Sequence, residues 1–184
     1  MRLLKVLEKF FDGKVFTFEY FKAGDNRGDF GKVWVREDFP GFSMAETFFS
    51  RSKKDVIRGF HYIMKPATQM RIVVCLEGRV RDVVVDIRKD SPTYGKFVSI
   101  NLDSKSNAGV FIGKGFAHGF HSLEESILFY MIDGKYEKAF DKGIRWNDTT
   151  IGVDWKVKNP IVSERDSNHP SLEQAENNFR YGEE

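Results

Sequence analysis

The chain has 184 residues, of which 41% are hydrophobic and 30% charged, and its net charge at pH 7 is +2. This composition is typical of a globular protein rather than a disordered chain, and the length predicts one domain over residues 1–184. A net charge this close to zero does not give the broad basic field that nonspecific nucleic-acid binding requires, so we expect no nucleic-acid partner.

The N-terminal residues predict neither a membrane anchor nor an export signal. No stretch approaches the roughly 20 apolar residues that span a bilayer, and Lys5, Glu8 and Lys9 interrupt the apolar residues of 1–11. The single cysteine, Cys75, excludes an internal disulfide and a cysteine-rich zinc site, and we expect it in the core of a strand. We therefore expect a cytoplasmic protein with no membrane partner.

Short apolar runs separated by turn residues dominate the chain and predict β-strands. Residues 1–10 are predicted to form one or two helical turns, residues 171–179 a terminal helix, and the charged residues 51–55 a solvated loop. A tight hairpin is predicted at residues 76–79, where Gly78 supplies the positive φ. The predicted strands are residues 15–20, 31–35, 70–76, 79–87, 97–102, 109–112 and 126–132. This pattern predicts an all-β sandwich or barrel of the jelly-roll type, with short peripheral helices at the termini.

Two of the four histidines stand beside glycines at predicted strand ends, His61 and His118. Arg58 precedes His61 by three residues, so the two side chains would face opposite sides of a strand unless Gly59 permits a bulge. A guanidinium beside an imidazole in a barrel mouth suits an anionic, phosphate-bearing ligand. The other two histidines, 121 and 169, lack such a context and are expected on the surface or in loops.

Seven segments carry a resemblance in register over about residues 20–170. They are RGFHY at 58–62, QMR at 69–71, GRVRDVVVDIR at 78–88, SPTYG at 91–95, GFAHGF at 115–120, GIRWND at 143–148 and SERD at 163–166. Together they resemble the dTDP-4-dehydrorhamnose 3,5-epimerase family, with one small turn deletion before Tyr130. The resemblance implies a cupin-type double-stranded β-helix, a homodimer, and neither metal nor cofactor. It also implies a nucleotide-sugar substrate, a 4-keto-6-deoxysugar made in the cytoplasm for surface glycans such as lipopolysaccharide or capsule.

The resemblance assigns the reacting groups of an epimerase. A ketone at C4 acidifies the hydrogens on C3 and C5, so inversion needs a base, an acid and a group that stabilises the enolate. The family pattern puts His61 at the base position, Asp166 behind it to orient the imidazole, and Tyr130 at the acid position. Arg71 stands where the family usually has lysine facing the C4 oxygen. His118 is expected to donate to the sugar, with Asp82 as its partner.

The resemblance also assigns substrate contacts, with departures at the nucleobase end. Lys32 replaces a family glutamate, and Glu46 and Phe48 replace amide side chains, so the nucleobase stays open between thymine and guanine. The assigned contacts are Arg27, Arg58 and Arg165 as a diphosphate clamp, Phe30 and Tyr136 as stacking aromatics, and Gln69 and Asp141, together with Lys32, Glu46 and Phe48.

Three alternatives remain open from the sequence. The enzyme could invert only C3 or only C5 of a GDP-linked 4-keto sugar, or the chain could be a non-catalytic cupin that binds sugar nucleotides. A metal-dependent cupin is the third alternative. Metal-binding cupins begin their site with His-x-His, and Ile63 breaks that spacing after His61, which leaves His61, His118 and a carboxylate as the conceivable ligand set.

Overall fold

The protein, described over residues 4–183 by a computed structural model, is built almost wholly of antiparallel β-strands, which confirms the predicted fold class. Within those residues the single α-helix, α1 (Glu164–Ser167), has four residues, and no helix is long and apolar enough to cross a membrane. The strands are β1 (Lys5–Phe10), β2 (Val15–Glu19), β3 (Phe21–Asp25), β4 (Gly28–Lys32), β5 (Glu46–Ser52), β6 (Ile57–Ile63), β7 (Arg71–Glu77), β8 (Arg79–Asp86), β9 (Phe97–Asp103), β10 (Ala108–Ile112), β11 (Phe116–Ser122), β12 (Ser126–Ile132) and β13 (Asp141–Gly143).

Two antiparallel sheets face each other. The first has the strand order β1-β2-β10-β7-β12-β5 and the second has the order β13-β6-β11-β8-β9. Neighbours within each sheet come from distant parts of the chain, as when β7 lies between β10 and β12, and this is the connectivity of a jelly roll. The short strands β3 and β4 form a separate two-stranded sheet.

The middle of β8, in the second sheet, is buried on both faces. Val80 and Val84 pack between the sheets with residues from β7, β10 and β12. Val83 and Val85 point the other way, into a second cluster that includes Trp155 from the C-terminal part of the chain. This part of β8 has no solvent-facing positions, which is why residues 83–85 form a continuous apolar run instead of an alternating one.

The prediction of helical turns in residues 1–10 is wrong for the part that the structure describes. Residues 1–3 lie outside the described residues, and β1 pairs along β2 with an irregularity between Val6 and Glu8. A helix this short is marginal on its own, whereas the edge of β2 offers the segment a ladder of backbone hydrogen bonds.

The predicted terminal helix at residues 171–179 is also wrong. Its first residues make one turn, in which Ala175 N–H donates to the Ser171 carbonyl oxygen at 2.8 Å. Beyond it, the side-chain amide of Asn177 donates to the carbonyl of Ile87 at the end of β8. Asparagine side chains bond readily to nearby backbone, so this segment is tied to the sheet in an irregular conformation instead of a helix.

The turn at residues 76–79 is a corner between the two sheets, so the predicted hairpin is wrong. β7 belongs to the first sheet and β8 to the second. The requirement for glycine is nevertheless met: Gly78 has φ +72°, and a Cβ there would lie 2.0 Å from the carbonyl oxygen of Glu125. The local backbone was predictable, whereas the strand partners depend on distant parts of the chain.

Several strand boundaries also differ from the predictions. β4 ends at Lys32, so the predicted strand at 31–35 is displaced, and β3, β5, β6 and β11 were not predicted as strands. The first two residues of the predicted loop 51–55 belong to β5, and only residues 53–55 leave the sheet.

Candidate active site

A β-bulge in β6 turns two side chains toward one cavity. The pairing of β6 with β11 shifts by one residue between His61 and Arg58. Gly59 lies in the shift with φ +120°, and a Cβ there would meet the carbonyl oxygen of His118 at 2.7 Å. The bulge at Gly59 overcomes the alternation of a regular strand, so Arg58 and His61 both line the cavity, as the sequence predicted.

Asp166 lies behind His61 and is buried. Its Oδ1 lies 2.8 Å from Nε2 of His61, and its Oδ2 accepts the backbone N–H of Gly59 at 3.0 Å. Ser163 caps the short helix α1 by accepting the Asp166 N–H, which fixes the backbone that carries the carboxylate. Burial alone would raise the pKa of Asp166, but the hydrogen bonds and charge of its partners outweigh burial and lower the pKa to about 2.

Tyr130 lies on β12 of the opposite sheet and closes the cavity from that side. Its ring stacks on Phe48 of β5 with ring centroids 4.7 Å apart, and its centroid lies 6.0 Å from that of the His118 ring. Burial, followed by the charge of Asp82, raises the pKa of the Tyr130 phenol against the opposing effects of a hydrogen bond and two guanidinium groups. The phenol is therefore protonated at neutral pH and able to donate a proton.

Arg71 and His118 place two further polar groups beside His61 and Tyr130. Arg71, on β7, donates from Nη1 to the carbonyl oxygen of His61 at 3.2 Å. Burial lowers its pKa, but a guanidinium starts high enough to stay charged. His118 faces His61 across the β6–β11 pairing, and its Nε2 lies 2.7 Å from Oδ2 of the buried Asp82.

These side chains surround a cavity of about 390 Å³, within the range of small-molecule sites. Arg58, His61 and His118 come from the second sheet, whereas Phe48, Arg71 and Tyr130 come from the first, so the cavity opens between the sheets. Of the predicted site residues, the lining includes Glu46, Phe48, Arg58, His61, Gln69, Arg71, His118, Tyr130, Tyr136, Asp141 and Arg165.

One end of the cavity is held by hydrogen bonds among its own lining residues. Asp141 accepts the hydroxyl of Tyr136 at 2.9 Å and Nη2 of Arg165 at 2.7 Å. Glu46 accepts the backbone N–H of Tyr136 at 3.2 Å. The aromatic ring is thereby placed at the rim, between two carboxylates and a guanidinium.

Three predicted substrate contacts do not reach this cavity in their own chain. Arg27, Phe30 and Lys32 lie on or between β3 and β4, and none of them is among the lining residues. Arg27 pairs with Asp25 at 2.6 Å, and 60% of the surface of Phe30 is exposed.

The structure corrects the expectation that the remaining two histidines lie on the surface or in loops without context. His121 is buried on β11, near Asp55. His169 follows α1, and its ring centroid lies 5.7 Å from that of His61, with Nε2 3.7 Å from Oδ1 of Asp166. The one signal in the sequence for this contact was that His169 follows Asp166 by three residues.

A candidate ligand set for a metal ion also exists among the described residues, though not the set considered from the sequence. His118 is hydrogen-bonded to Asp82. In contrast, His61, Asp166 and His169 each offer one ligand atom, and these three atoms lie within 4.8 Å of one another.

The fold and the site together define a class of protein. A jelly roll holds an imidazole on one sheet, paired with a carboxylate from α1, and a protonated phenol on the other sheet, with guanidinium groups lining the space between them. This arrangement is an acid–base site for an anionic ligand in a cupin-type fold.

Comparison with known proteins gives the family. The sequence model of the dTDP-4-dehydrorhamnose 3,5-epimerase family matches residues 13–174. The dTDP-4-dehydrorhamnose 3,5-epimerase of Shigella flexneri is 39% identical over 160 residues, which cover 84% of this chain and 88% of that protein. The enzyme of the same name from Sinorhizobium fredii is 36% identical over 167 residues, covering 87% of this chain and 86% of that protein.

Solved structures agree with this result. The crystal structure of dTDP-4-dehydrorhamnose 3,5-epimerase from Sulfolobus tokodaii superposes with a TM-score of 0.88 and 34% identity, covering 96% of this chain and 99% of that one. A Legionella pneumophila epimerase in complex with dTDP-4-keto-L-rhamnose gives a TM-score of 0.87 with 30% identity, covering 93% of this chain and 94% of that one. The chain belongs to the dTDP-4-dehydrorhamnose 3,5-epimerase family, whose named members are isomerases.

Proposed function

We propose that this chain is a cofactor-independent 3,5-epimerase of a dTDP-linked 4-keto-6-deoxysugar, with the whole reaction carried by one jelly-roll domain. The observation that carries the proposal is the position of His61 and Tyr130 on opposite sheets around one cavity. A planar enolate held between the sheets meets a base on one face and a phenol on the other. Relatives acting on dTDP-4-dehydrorhamnose support the substrate class.

The first step removes a proton from the carbon next to the C4 ketone. With Nε2–H of His61 donated to Asp166, the Nδ1 lone pair is free to take the proton. The electrons of the broken C–H bond move onto the C4 oxygen, and the imidazolium that forms is stabilised by the carboxylate behind it. Asp166, whose pKa is about 2, stays ionised throughout the neutral range.

The second step needs a cation at the enolate oxygen and an acid on the opposite face. Arg71 supplies a permanent charge at the cavity wall, fixed through its bond to the His61 carbonyl. Tyr130 then donates its hydroxyl proton to the carbanion carbon, which inverts the centre. Tyr130 takes a proton back from solvent, and the His61 imidazolium releases its proton to solvent. With Nε2–H of His118 donated to Asp82, its Nδ1 lone pair is left to accept a hydrogen bond from a sugar hydroxyl.

The proposed diphosphate clamp is incomplete within one chain's own cavity. Arg58 and Arg165 line it, whereas Arg27 lies outside it on an exposed two-stranded sheet. A two-stranded hairpin is marginally stable alone, and Phe30 is largely exposed there. We propose a homodimer in which the β3–β4 hairpin of each protomer extends to the other protomer's cavity, so that Arg27, Phe30 and Lys32 complete the substrate site.

Mixed dimers test this arrangement. Arg27→Ala and His61→Ala chains are each expected to be inactive alone, but random mixing makes half of the dimers heterodimers. Each heterodimer then holds one site with both residues intact, so about a quarter of wild-type activity should return. If Arg27 acts within its own chain, every site in the mixture lacks one residue and no activity returns. A monomeric protein in sedimentation would also reject the dimer.

The nucleobase is proposed to be thymine, contacted by Tyr136, Glu46 and Phe48 at the cavity rim. The dTDP-linked substrates of the relatives support this choice, and all three residues line the cavity. Since a ligand that binds the folded state raises the melting temperature, dTDP should raise it more than GDP, UDP or CDP. A larger rise in melting temperature with GDP would indicate that the nucleobase is guanine instead of thymine.

We also propose that the reaction takes place in the cytoplasm.

The reaction itself is tested with metal-free protein. After dialysis against a chelator, the purified chain should convert a dTDP-4-keto-6-deoxysugar in D2O with deuterium entering at both C3 and C5, followed by NMR. Exchange at one carbon only would show a mono-epimerase. Binding without any exchange would show a silent sugar-nucleotide-binding protein.

A further inference from the structure

His169 gives the proposed base a second neighbour that the reaction does not use. Its ring meets that of His61 at an interplanar angle of 74°, and its Nε2 approaches the same oxygen of Asp166 that His61 contacts. His169 Nε2 is buried and has no hydrogen-bond partner among the described residues. We propose that His61, Asp166 and His169 form a Zn²⁺ site, and that zinc bound there silences His61 as a base.

The distances fit such a site with small movements. Zinc–nitrogen and zinc–oxygen bonds of about 2.0–2.2 Å in a tetrahedron put ligand atoms roughly 3.4 Å apart. Asp166 Oδ1 lies 2.8 Å from His61 Nε2 and 3.7 Å from His169 Nε2, and one ligand atom from each of the three residues lies within 4.8 Å of the other two. Side-chain shifts of about 1 Å or less therefore bring the three atoms around one ion.

The donor set favours zinc over magnesium and calcium. Two imidazoles and one carboxylate suit zinc, whereas magnesium and calcium prefer oxygen ligands. Arg165, a nearby cation, is paired with Asp141 at 2.7 Å, which reduces its repulsion of a metal ion.

Gly143 makes the room that His169 occupies. A Cβ at Gly143 would lie 2.3 Å from His169 Nε2 and 2.5 Å from its Cδ2. The φ of Gly143 is not in the left-handed region, so an alanine is acceptable to the backbone there, and the three atoms nearest to its Cβ would all belong to the imidazole. This provides a way to displace the third ligand without removing any ligand residue.

The silencing follows from the tautomer of His61 and rests on the proposed function. In the metal-free dyad, Nε2 carries the proton toward Asp166 and Nδ1 holds the free lone pair. A neutral imidazole that coordinates zinc through Nε2 must carry its proton on Nδ1. That proton moves through solvent when the metal binds, and Nδ1 then has no lone pair to accept a proton from C3 or C5.

Binding is measured by calorimetric titration of metal-free protein with ZnCl2, together with the absorption bands of Co²⁺ as a report on coordination. The wild type should bind one Zn²⁺ per chain. His169→Ala and Gly143→Ala should each weaken binding at least about tenfold, since even changes around metal ligands cost 10–100-fold in affinity. His121→Gln is the matched control, because it removes a histidine on β11 outside the cluster and should keep wild-type affinity. Melting curves without metal establish that each variant is folded.

Each outcome decides one part of the proposal. Equal zinc affinity in wild type, His169→Ala and Gly143→Ala would overturn the site, as would the absence of binding to the wild type. Zinc bound at the site with an unchanged epimerase rate would overturn the silencing. Zinc binding that depends on His169 in a protein with no epimerase activity before metal is added would support the site while rejecting the proposed function.

Discussion

Asp166→Asn removes one charge from the proposed base dyad with almost no change in shape. The folded-state pKa of Asp166 is about 2, against an ordinary value of 3.8, because its hydrogen bonds and charged partners outweigh its burial. One pKa unit corresponds to about 1.4 kcal/mol, so the ionised carboxylate contributes about 2 kcal/mol to the free energy of unfolding. The carboxylate is 5% exposed, so solvent screens this contribution little.

The sign of the pH dependence follows from the depressed pKa. The contribution is fully present above the unfolded-state pKa, near pH 4, and is lost as pH falls toward 2. Urea unfolding of wild type and Asp166→Asn should therefore differ by about 2 kcal/mol at pH 5, and the difference should shrink steadily down to pH 2. Asp90→Asn, which breaks the exposed pair with Arg180, should change stability little at either pH.

A stability difference between wild type and Asp166→Asn that is the same at pH 5 and pH 2 would refute this reasoning, because it would come from packing and not from charge. The same variant should lower the epimerase rate by about 10²–10⁴, the usual contribution of general acid–base catalysis. An Asp166→Asn enzyme with wild-type turnover would show that the carboxylate does not support the base.

Two further substitutions test the corner and the phenol. Gly78→Ala should destabilise the protein by roughly 1–3 kcal/mol in urea unfolding, because it combines φ +72° with a Cβ 2.0 Å from the Glu125 carbonyl oxygen. Gly182→Ala, with φ +85° and open space around the Cβ, should destabilise the protein less. Equal losses of stability in the two variants would show that the clash at Gly78 is relieved. Phe48→Ala should expose the Tyr130 ring and lower its raised pKa, so the alkaline limb of the epimerase pH profile should move to lower pH. An unmoved limb would mean that Phe48 does not shield the phenol.

The sequence predicted the parts of the fold that local patterning controls. The valines of β8 predicted a strand, and Gly78 predicted a turn with positive φ. The pairing of β7 with β10 and β12 could not be predicted from local patterns, because the connection at Gly78 allows either a hairpin or a corner. The prediction of helical turns over Lys5–Phe10 was wrong for a related reason. A short amphipathic segment adopts the structure that its neighbours stabilise, and here it pairs with β2.

For the site, the order of motifs predicted a set of residues that the fold brings to one cavity. From the spacing alone, Arg58 and His61 would face opposite sides unless Gly59 permitted a bulge; the structure has that bulge, and both residues line the cavity. His169 was missed because its contact with the dyad depends on how the residues after α1 fold back and on the space left by Gly143. Neither feature leaves a periodic pattern in the sequence.

The central claim is that His61 removes the proton and Tyr130 returns it on the other face. The direct measurement is NMR of deuterium incorporation at C3 and C5 of the substrate in D2O, with His61→Ala and Tyr130→Phe assayed beside the wild type. The account predicts no exchange above background for His61→Ala, and exchange with retained configuration for Tyr130→Phe, because the base alone can return a deuteron to the face it came from. Wild-type exchange in His61→Ala, or full inversion in Tyr130→Phe, would contradict it.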